Sequence, residues 1–159
     1  VADAEALGRS HYASWVESYS PLLPAEFWGT FRVEQRIEGW RRLLVEPPAG
    51  SRLVVALVDG DVVGHAMAGM ARNGVGDAYP AVRDRELYSV YLLAEHQGAG
   101  LGRRLVDSVL DAHEPAQLWV FENNATAIRF YERLGFVPDG ARHGFGPNLG
   151  NQAEIRMVR

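Results

Sequence analysis

The stretch from Glu86 to Gly102, ELYSVYLLAEHQGAGLG, constrains this chain more than any other. Residues Leu87 to Leu93 are strand-like, a short polar turn follows, and three alternate glycines lead into an amphipathic helix pattern beginning near Gly102. A strand that passes through glycines into a helix start makes an anion site. The first helical N–H groups have no intrahelical partner and the positive end of the helix dipole lies there. Glycine lets an anion approach that backbone with no Cβ in the way. A phosphate-bearing ligand is expected here.

Spacing narrows the ligand. A nucleotide-hydrolase phosphate loop needs Lys-Ser or Lys-Thr after its glycines, where this chain has Arg103 and Arg104. A dinucleotide fingerprint, G-x-G-x-x-G, is one residue longer than Gly98-x-Gly100-x-Gly102. Taken alone, the glycines are equally a tight strand-to-helix turn. Preceded by Gln97, however, they read Gln-x-x-Gly-x-Gly, and downstream comes Asn124-x-x-Ala127-x-x-x-Tyr131-x-x-x-Gly135-Phe136. The two motifs, in this order and at this distance, resemble those of the GNAT superfamily of acyl-CoA N-acyltransferases. The resemblance spans Glu86 to Phe136.

The rest of the chain suits one domain over residues 1–159, large enough for a full core. No cysteine is present, which excludes disulfides, thiolate metal sites and a cysteine nucleophile, and is compatible with a cytoplasmic location. A net charge of −4 argues against bulk nucleic-acid binding, and no apolar run approaches the length of a membrane span. The histidines at 11, 65, 96, 113 and 143 show no metal-ligand spacing, so no metal is expected.

In chain order, Asp3 is a candidate N-cap for a helix over Ala4–Tyr19, broken by the prolines at 21 and 24. Val33, Ile37, Trp40 and Leu44 form the apolar stripe of a second helix, ended by Pro47 and Pro48. Arg52–Asp59 and Val62–Met70, joined across Gly60, read as an antiparallel hairpin. A long loop, Ala71–Arg85, precedes the central strand, and loops of such length are usually functional or mobile. A helix closed by Pro115, a strand at Gln117–Phe121, a helix over Ala125–Leu134 stopped by Gly135, and strands at Phe136–Val137 and Glu154–Val158 complete the reading. This order is that of the resembled fold after its first strand: an α/β fold whose mixed, mostly antiparallel sheet has two splayed central parallel strands and flanking helices. The usual first strand is missing from the sequence, lies outside it, or was lost in processing.

The resemblance also implies roles. Backbone amides of Gly98, Gly100, Gly102 and Arg103, with Gln97, would surround the pyrophosphate of acetyl-CoA, and the pantothenate arm would lie along a bulged backbone at Val90, Tyr91 and Leu92. Tyr131 would be the general acid toward the cofactor sulfur; its alternative is a core aromatic beside Ile128 and Leu134. Asn124 would face the cofactor, and is equally a helix N-cap. Glu86 would be the general base, against the alternative of a surface charge paired with Arg85. The acceptor pocket would draw on Trp15, Tyr19, Pro21, Phe27, Trp28, Asp77, Asp84 and Phe145, with His11 or His65 as further candidates for its lining. Aromatic and acidic walls suit a cationic amine. The implied activity is direct transfer of an acetyl group from acetyl-CoA to a primary amine, of a small molecule or of a peptide N-terminus. A non-catalytic acyl-CoA sensor and a nucleotide-binding domain are the readings from other classes. Homodimers are common in the resembled family, and no segment here marks an interface.

Overall fold

The computed structural model of the chain describes residues 2–73 and 78–159. Helices α1 (Ala2–Tyr19), α2 (Ala25–Thr30) and α3 (Val33–Val45) come first, followed by strands β1 (Arg52–Val58), β2 (Asp61–Met70) and β3 (Arg85–Leu92). Then come α4 (Leu101–Val109), β4 (Ala116–Phe121), α5 (Ala125–Glu132), β5 (Val137–Gly144) and β6 (Ala153–Val158). The strands form a six-stranded sheet in the order β1-β2-β3-β4-β6-β5. β3 and β4 are its parallel pair and the other neighbours run antiparallel, as expected.

Two differences from the sequence reading have physical causes. The short helix α2 lies between Pro24 and the α3 stripe, and none of its residues is buried. It therefore leaves no hydrophobic period to read. β5 continues from Val137 to Gly144 where only Phe136–Val137 is expected, because its residues Pro138 to Gly144, with a proline and two glycines among them, are mostly exposed on an edge strand. A break in its register between Pro138 and Arg142 further hides the alternation.

The core lies on both faces of the sheet. On one, Ala56, Ala66, Ala68, Leu87 and Leu118 pack against Leu105, Val106 and Val109 of α4, with Leu134 and Phe136 closing the end. On the other, Leu53, Val55 and Val62 meet Ala4 and Leu7 of α1 and Trp40 of α3. Strand alternation divides β1 between the two: Val54, Ala56 and Val58 to one side, Leu53 and Val55 to the other. α1 and α3 cross closely at Gly8, where an added Cβ would fall 2.5–2.7 Å from the backbone and side chain of Ile37. A side chain there forces the helices apart, and overpacking of this kind costs about 1–3 kcal/mol. Gly8→Ala should therefore lower the melting temperature by roughly 3–10 °C at the few degrees per kcal/mol usual for this chain length. Calorimetry checks this, and an unshifted transition would mean that the helices are not in contact there.

Candidate functional site

β3 and β4 are hydrogen-bonded only at their starts, Arg85 with Ala116 and Glu86 with Gln117. Beyond these pairs the strands part, and the backbone of β3 from Leu87 onward has β2 on one side and an opening on the other. The opening belongs to a cavity of about 1310 Å³. Its walls include Glu86, Val90, Tyr91, Leu92, Gln97, Gly98, Gly100, Gly102, Arg103, Asn124 and Tyr131, so the candidate cofactor-binding and catalytic residues meet in one place.

At one end lies the glycine turn. Gly100 is the N-cap of α4 with φ +81°, and Gly98 has φ +84°, conformations that side-chain-bearing residues rarely adopt. Nothing stands within 4 Å of where a Cβ on either would project, so this backbone is open to a ligand. The first helical hydrogen bond of α4 runs from the Arg104 amide to the Gly100 carbonyl at 3.1 Å. The amides of Leu101, Gly102 and Arg103 ahead of it have no partner within the helix. Gln97 fastens the turn to the strand, its Nε2 donating to the Leu92 carbonyl at 2.9 Å. Arg103 is held loosely, 3.5 Å from both the Asp107 carboxylate and the Arg133 carbonyl.

Asn124 caps α5, its Oδ1 accepting from the Ala127 amide at 3.1 Å, and so has the capping role foreseen for it while standing in the cavity wall. Tyr131 lies two helical turns on, among Phe130, Phe136 and the core. Burial and the nearby Tyr19 hydroxyl hold its phenol far above the ordinary tyrosine range, so it stays protonated at neutral pH. The register of β3 against β2 shifts between Met67 and Ala68, which places the bulge at Tyr88 and not at Val90–Leu92 as expected. Tyr88 packs over Gly69, which has no side chain to obstruct it.

Glu86 is neither a surface charge nor a partner of Arg85, which pairs with Glu114. It is 4% exposed. Its Oε1 accepts from Arg72 Nη2 at 2.6 Å and Nε at 3.2 Å, and its Oε2 from the Arg72 amide at 3.0 Å and Gln117 Nε2 at 3.1 Å. Gln117 also accepts from the Val82 amide at 2.9 Å, so the carboxylate ties the loop after β2 to the parting point of the strands. That loop is fastened further by Tyr79, whose hydroxyl donates to the Arg142 carbonyl, and by Arg156, which donates to the Pro80 carbonyl at 2.8 Å.

A further wall comes from α1 and residues beyond it. Trp15, Tyr19, Pro21 and Phe145 line the cavity, as anticipated. Trp15 Nε1 donates to the Tyr91 hydroxyl at 2.8 Å, and the Tyr19 and Tyr91 hydroxyls are 3.3 Å apart. Phe27 and Trp28 do not line it; they stack behind Trp15 and Phe31 as scaffold. Asp84 is exposed elsewhere, and Asp77 lies outside the described residues. His11 and His65 are behind the wall, in ring contact with Trp40 and Tyr91. Sequence reasoning missed Glu154 of β6, which lines the cavity; burial and the charge of Glu86 push its carboxyl up to about 7. Its only trace in the sequence is an acidic residue set between Ala153 and Ile155 in a last strand whose other charge is Arg156.

Against this geometry stand the comparisons with known proteins. The model of the acetyltransferase (GNAT) family matches residues 11–136. The chain belongs to that family. It is 28% identical over 116 residues to the L-amino acid N-acyltransferase MnaT of Escherichia coli, covering 70% of this chain and 64% of that protein. It is likewise 28% identical over 115 residues to the L-methionine sulfoximine/L-methionine sulfone acetyltransferase of Salmonella typhimurium, covering 69% and 64%. The chain thus spans a little under two thirds of the length of these two curated relatives. Among solved structures, that of yncA from Salmonella typhimurium with acetyl-CoA superposes with a TM-score of 0.65 at 22% identity, over 99% of this chain and 88% of that one, which shows the GNAT fold. Among the described residues no helix is long and apolar enough to cross a membrane.

The buried imidazoles give the family member a measurable pH signature. Burial and the neighbouring His65 and Arg36 lower His11 to about 3, where its Nδ1 accepts from Trp40 Nε1 at 3.2 Å, and burial lowers His65 to about 4. Their ordinary value is 6.5, so between these limits the unfolded chain binds more protons than the folded one. Stability present at neutral pH is therefore lost as pH falls below about 6.5 and through the folded values. Glu154, raised above its ordinary 4.5, acts in the opposite sense between about 7 and that value. His65→Leu removes one destabilising proton uptake, so its melting temperature should fall less steeply than the wild type's between about pH 6.5 and pH 4.5. Parallel slopes in a thermal-melt series would show that His65 titrates normally.

Proposed function

We propose that this chain is an acetyl-CoA-dependent N-acetyltransferase whose acceptor is a small molecule bearing a primary amine. One observation carries the reading: the unpaired amides at the start of α4, the Tyr131 hydroxyl and the acidic wall of β3 and β6 share a single cavity. The named activities of the Escherichia coli and Salmonella relatives, both on amino-acid-type acceptors, support the acceptor class.

The residues fit the cofactor. The open backbone of Gly98 and Gly100 and the amides of Leu101, Gly102 and Arg103 would hold its pyrophosphate, and the unpaired edge of β3 through Val90, Tyr91 and Leu92 would hold its pantothenate arm. Acetyl-CoA, when bound, supplies a thioester carbon open to attack. Tyr131 holds a proton at its hydroxyl and donates it toward the sulfur position. The amides of the parted β3 edge stand as donors for the carbonyl oxygen. The sheet wall carries two carboxylates, Glu86 and Glu154, and the ammonium's proton would pass to this acidic wall. The amine's own nitrogen is the nucleophile, since no cysteine is present to carry the acyl group. Trp15, Tyr19 and Phe121 give the acceptor side a wall of contacting aromatic rings.

Acetyl-CoA at ~100 times its dissociation constant should add about 2.7 kcal/mol, seen as a rise in melting temperature that ATP does not give. Thiol release should then follow with L-methionine sulfone as acceptor. Tyr131→Phe should lower turnover about 100-fold or more while keeping the melting shift; unaltered turnover would remove Tyr131 as the acid. Gly100→Val should lose the shift while remaining folded by circular dichroism, and a variant that keeps it would displace the cofactor from the glycine turn.

A further inference from the structure

Among the described residues the carboxylates lining the cavity are Glu17, Glu86 and Glu154, and their surroundings differ sharply. Glu17 accepts from the Ala94 amide at 2.9 Å. Both oxygens of Glu86 are filled by Arg72 and Gln117. Glu154 has no hydrogen-bond or ion-pair partner among the described residues. The nearby cations are committed elsewhere: Arg72 to Glu86, Arg142 to Glu122 at 2.7 Å and Arg156 to Asp139 at 2.7 Å. Strand pairing fixes where Glu154 points. It stands opposite Phe121 on β4, and Phe121 shares a face with Trp119 and Gln117, the residue bonded to Glu86. That is the face covered by Tyr19 of α1, whose ring meets Phe121.

We propose that Glu154 is the residue that receives the acceptor's ammonium group and takes up its proton. The inference rests on the N-acetyltransferase reading and replaces Glu86 as the expected base. Glu86 becomes a positioning residue, holding Arg72 and Gln117 at the parting of β3 and β4. In the step, one N–H bond of the ammonium breaks, its electron pair stays on nitrogen, and the proton forms an O–H bond on Glu154. The nitrogen pair forms the new C–N bond as the C–S bond breaks. The sulfur takes the Tyr131 proton, and the second nitrogen proton restores that of Tyr131. Glu154 later releases its proton to solvent.

The groups facing Glu154 favour this use. Burial, and with it the negative charge of Glu86 from β3, places the Glu154 carboxyl near neutrality, where a base turns over most readily. Tyr19 from α1 stays neutral, its phenol raised by burial and by the charge of Glu154. His143 lies across the β5 pairing with its ring against Tyr79 and Phe145, and forms no ion pair with Glu154. Arg156 on the same strand is turned to Asp139.

The test compares 2-phenylethylamine with 2-phenylethanol on the whole chain, by fluorescence of Trp15 and Trp119 in the cavity wall. Glu154→Gln should weaken the amine about tenfold near pH 8, as for loss of a charged hydrogen bond, and leave the alcohol unchanged. Wild type should lose the same preference for the amine near pH 5.5. With L-methionine sulfone, Glu154→Gln should lower kcat/KM about 100-fold and flatten the acid limb of its pH profile, with the acetyl-CoA melting shift intact. Amine binding by Glu154→Gln equal to wild type would overturn the proposal, as would loss of the acid limb in a folded Glu86→Gln alone. A wild type that neither shifts with acetyl-CoA nor releases thiol sinks the N-acetyltransferase reading, and the amine-against-alcohol comparison still decides Glu154.

Discussion

The structure depends on two parallel strands being joined for two residue pairs and then let go. The Arg85–Ala116 and Glu86–Gln117 pairs start β3 and β4 together, and the buried carboxylate of Glu86 locks that point with hydrogen bonds from Arg72 and Gln117. A buried carboxylate is costly unless its oxygens are filled, and here both are. Beyond it, sheet hydrogen bonds that would otherwise be made are left open, and the opening becomes the cavity. α4 and α5 cover the one face of the parted strands and α1 the other, so the gap has a floor and walls instead of collapsing.

Much of this was legible because it is written locally. The glycine turn, the Asn124 cap and the Gly135 stop each act within a few residues, through positive φ or an end-of-helix hydrogen bond, and these leave a mark in sequence order. The amphipathic stripes of α3 and α4 are legible for the same reason. What was not legible is assembled from afar. Glu86 finds its cation fourteen residues back in a loop, and nothing in its own flanks distinguishes Arg72 from the adjacent Arg85. Glu154 gains its character from burial and from the charge of Glu86, which stands on a strand far from it in sequence. His11 and His65, expected at the pocket, are drawn behind it because the α1 face of β2 is dry.

The cavity also divides by origin. The cofactor side is one continuous run from β3 through α4 and β4 to α5, the same stretch that carries both family motifs. The acceptor side is gathered from α1, the loop after β2 and β6. Its walls therefore vary independently of the anion turn, which accounts for a sequence that names its family clearly and its acceptor hardly at all.

The contact at Gly8 bears on that acceptor side through simple leverage. α1 is pinned to α3 at Gly8, and Tyr19 stands eleven residues further along the same helix, about 16 Å away at 1.5 Å per residue. A tilt of about 5° about the pin moves the Tyr19 end by roughly 1.4 Å, half the length of a hydrogen bond. The placing of Tyr19 at the acceptor mouth thus depends on a hydrogen atom where any other residue type has a carbon, about three helical turns from the mouth itself.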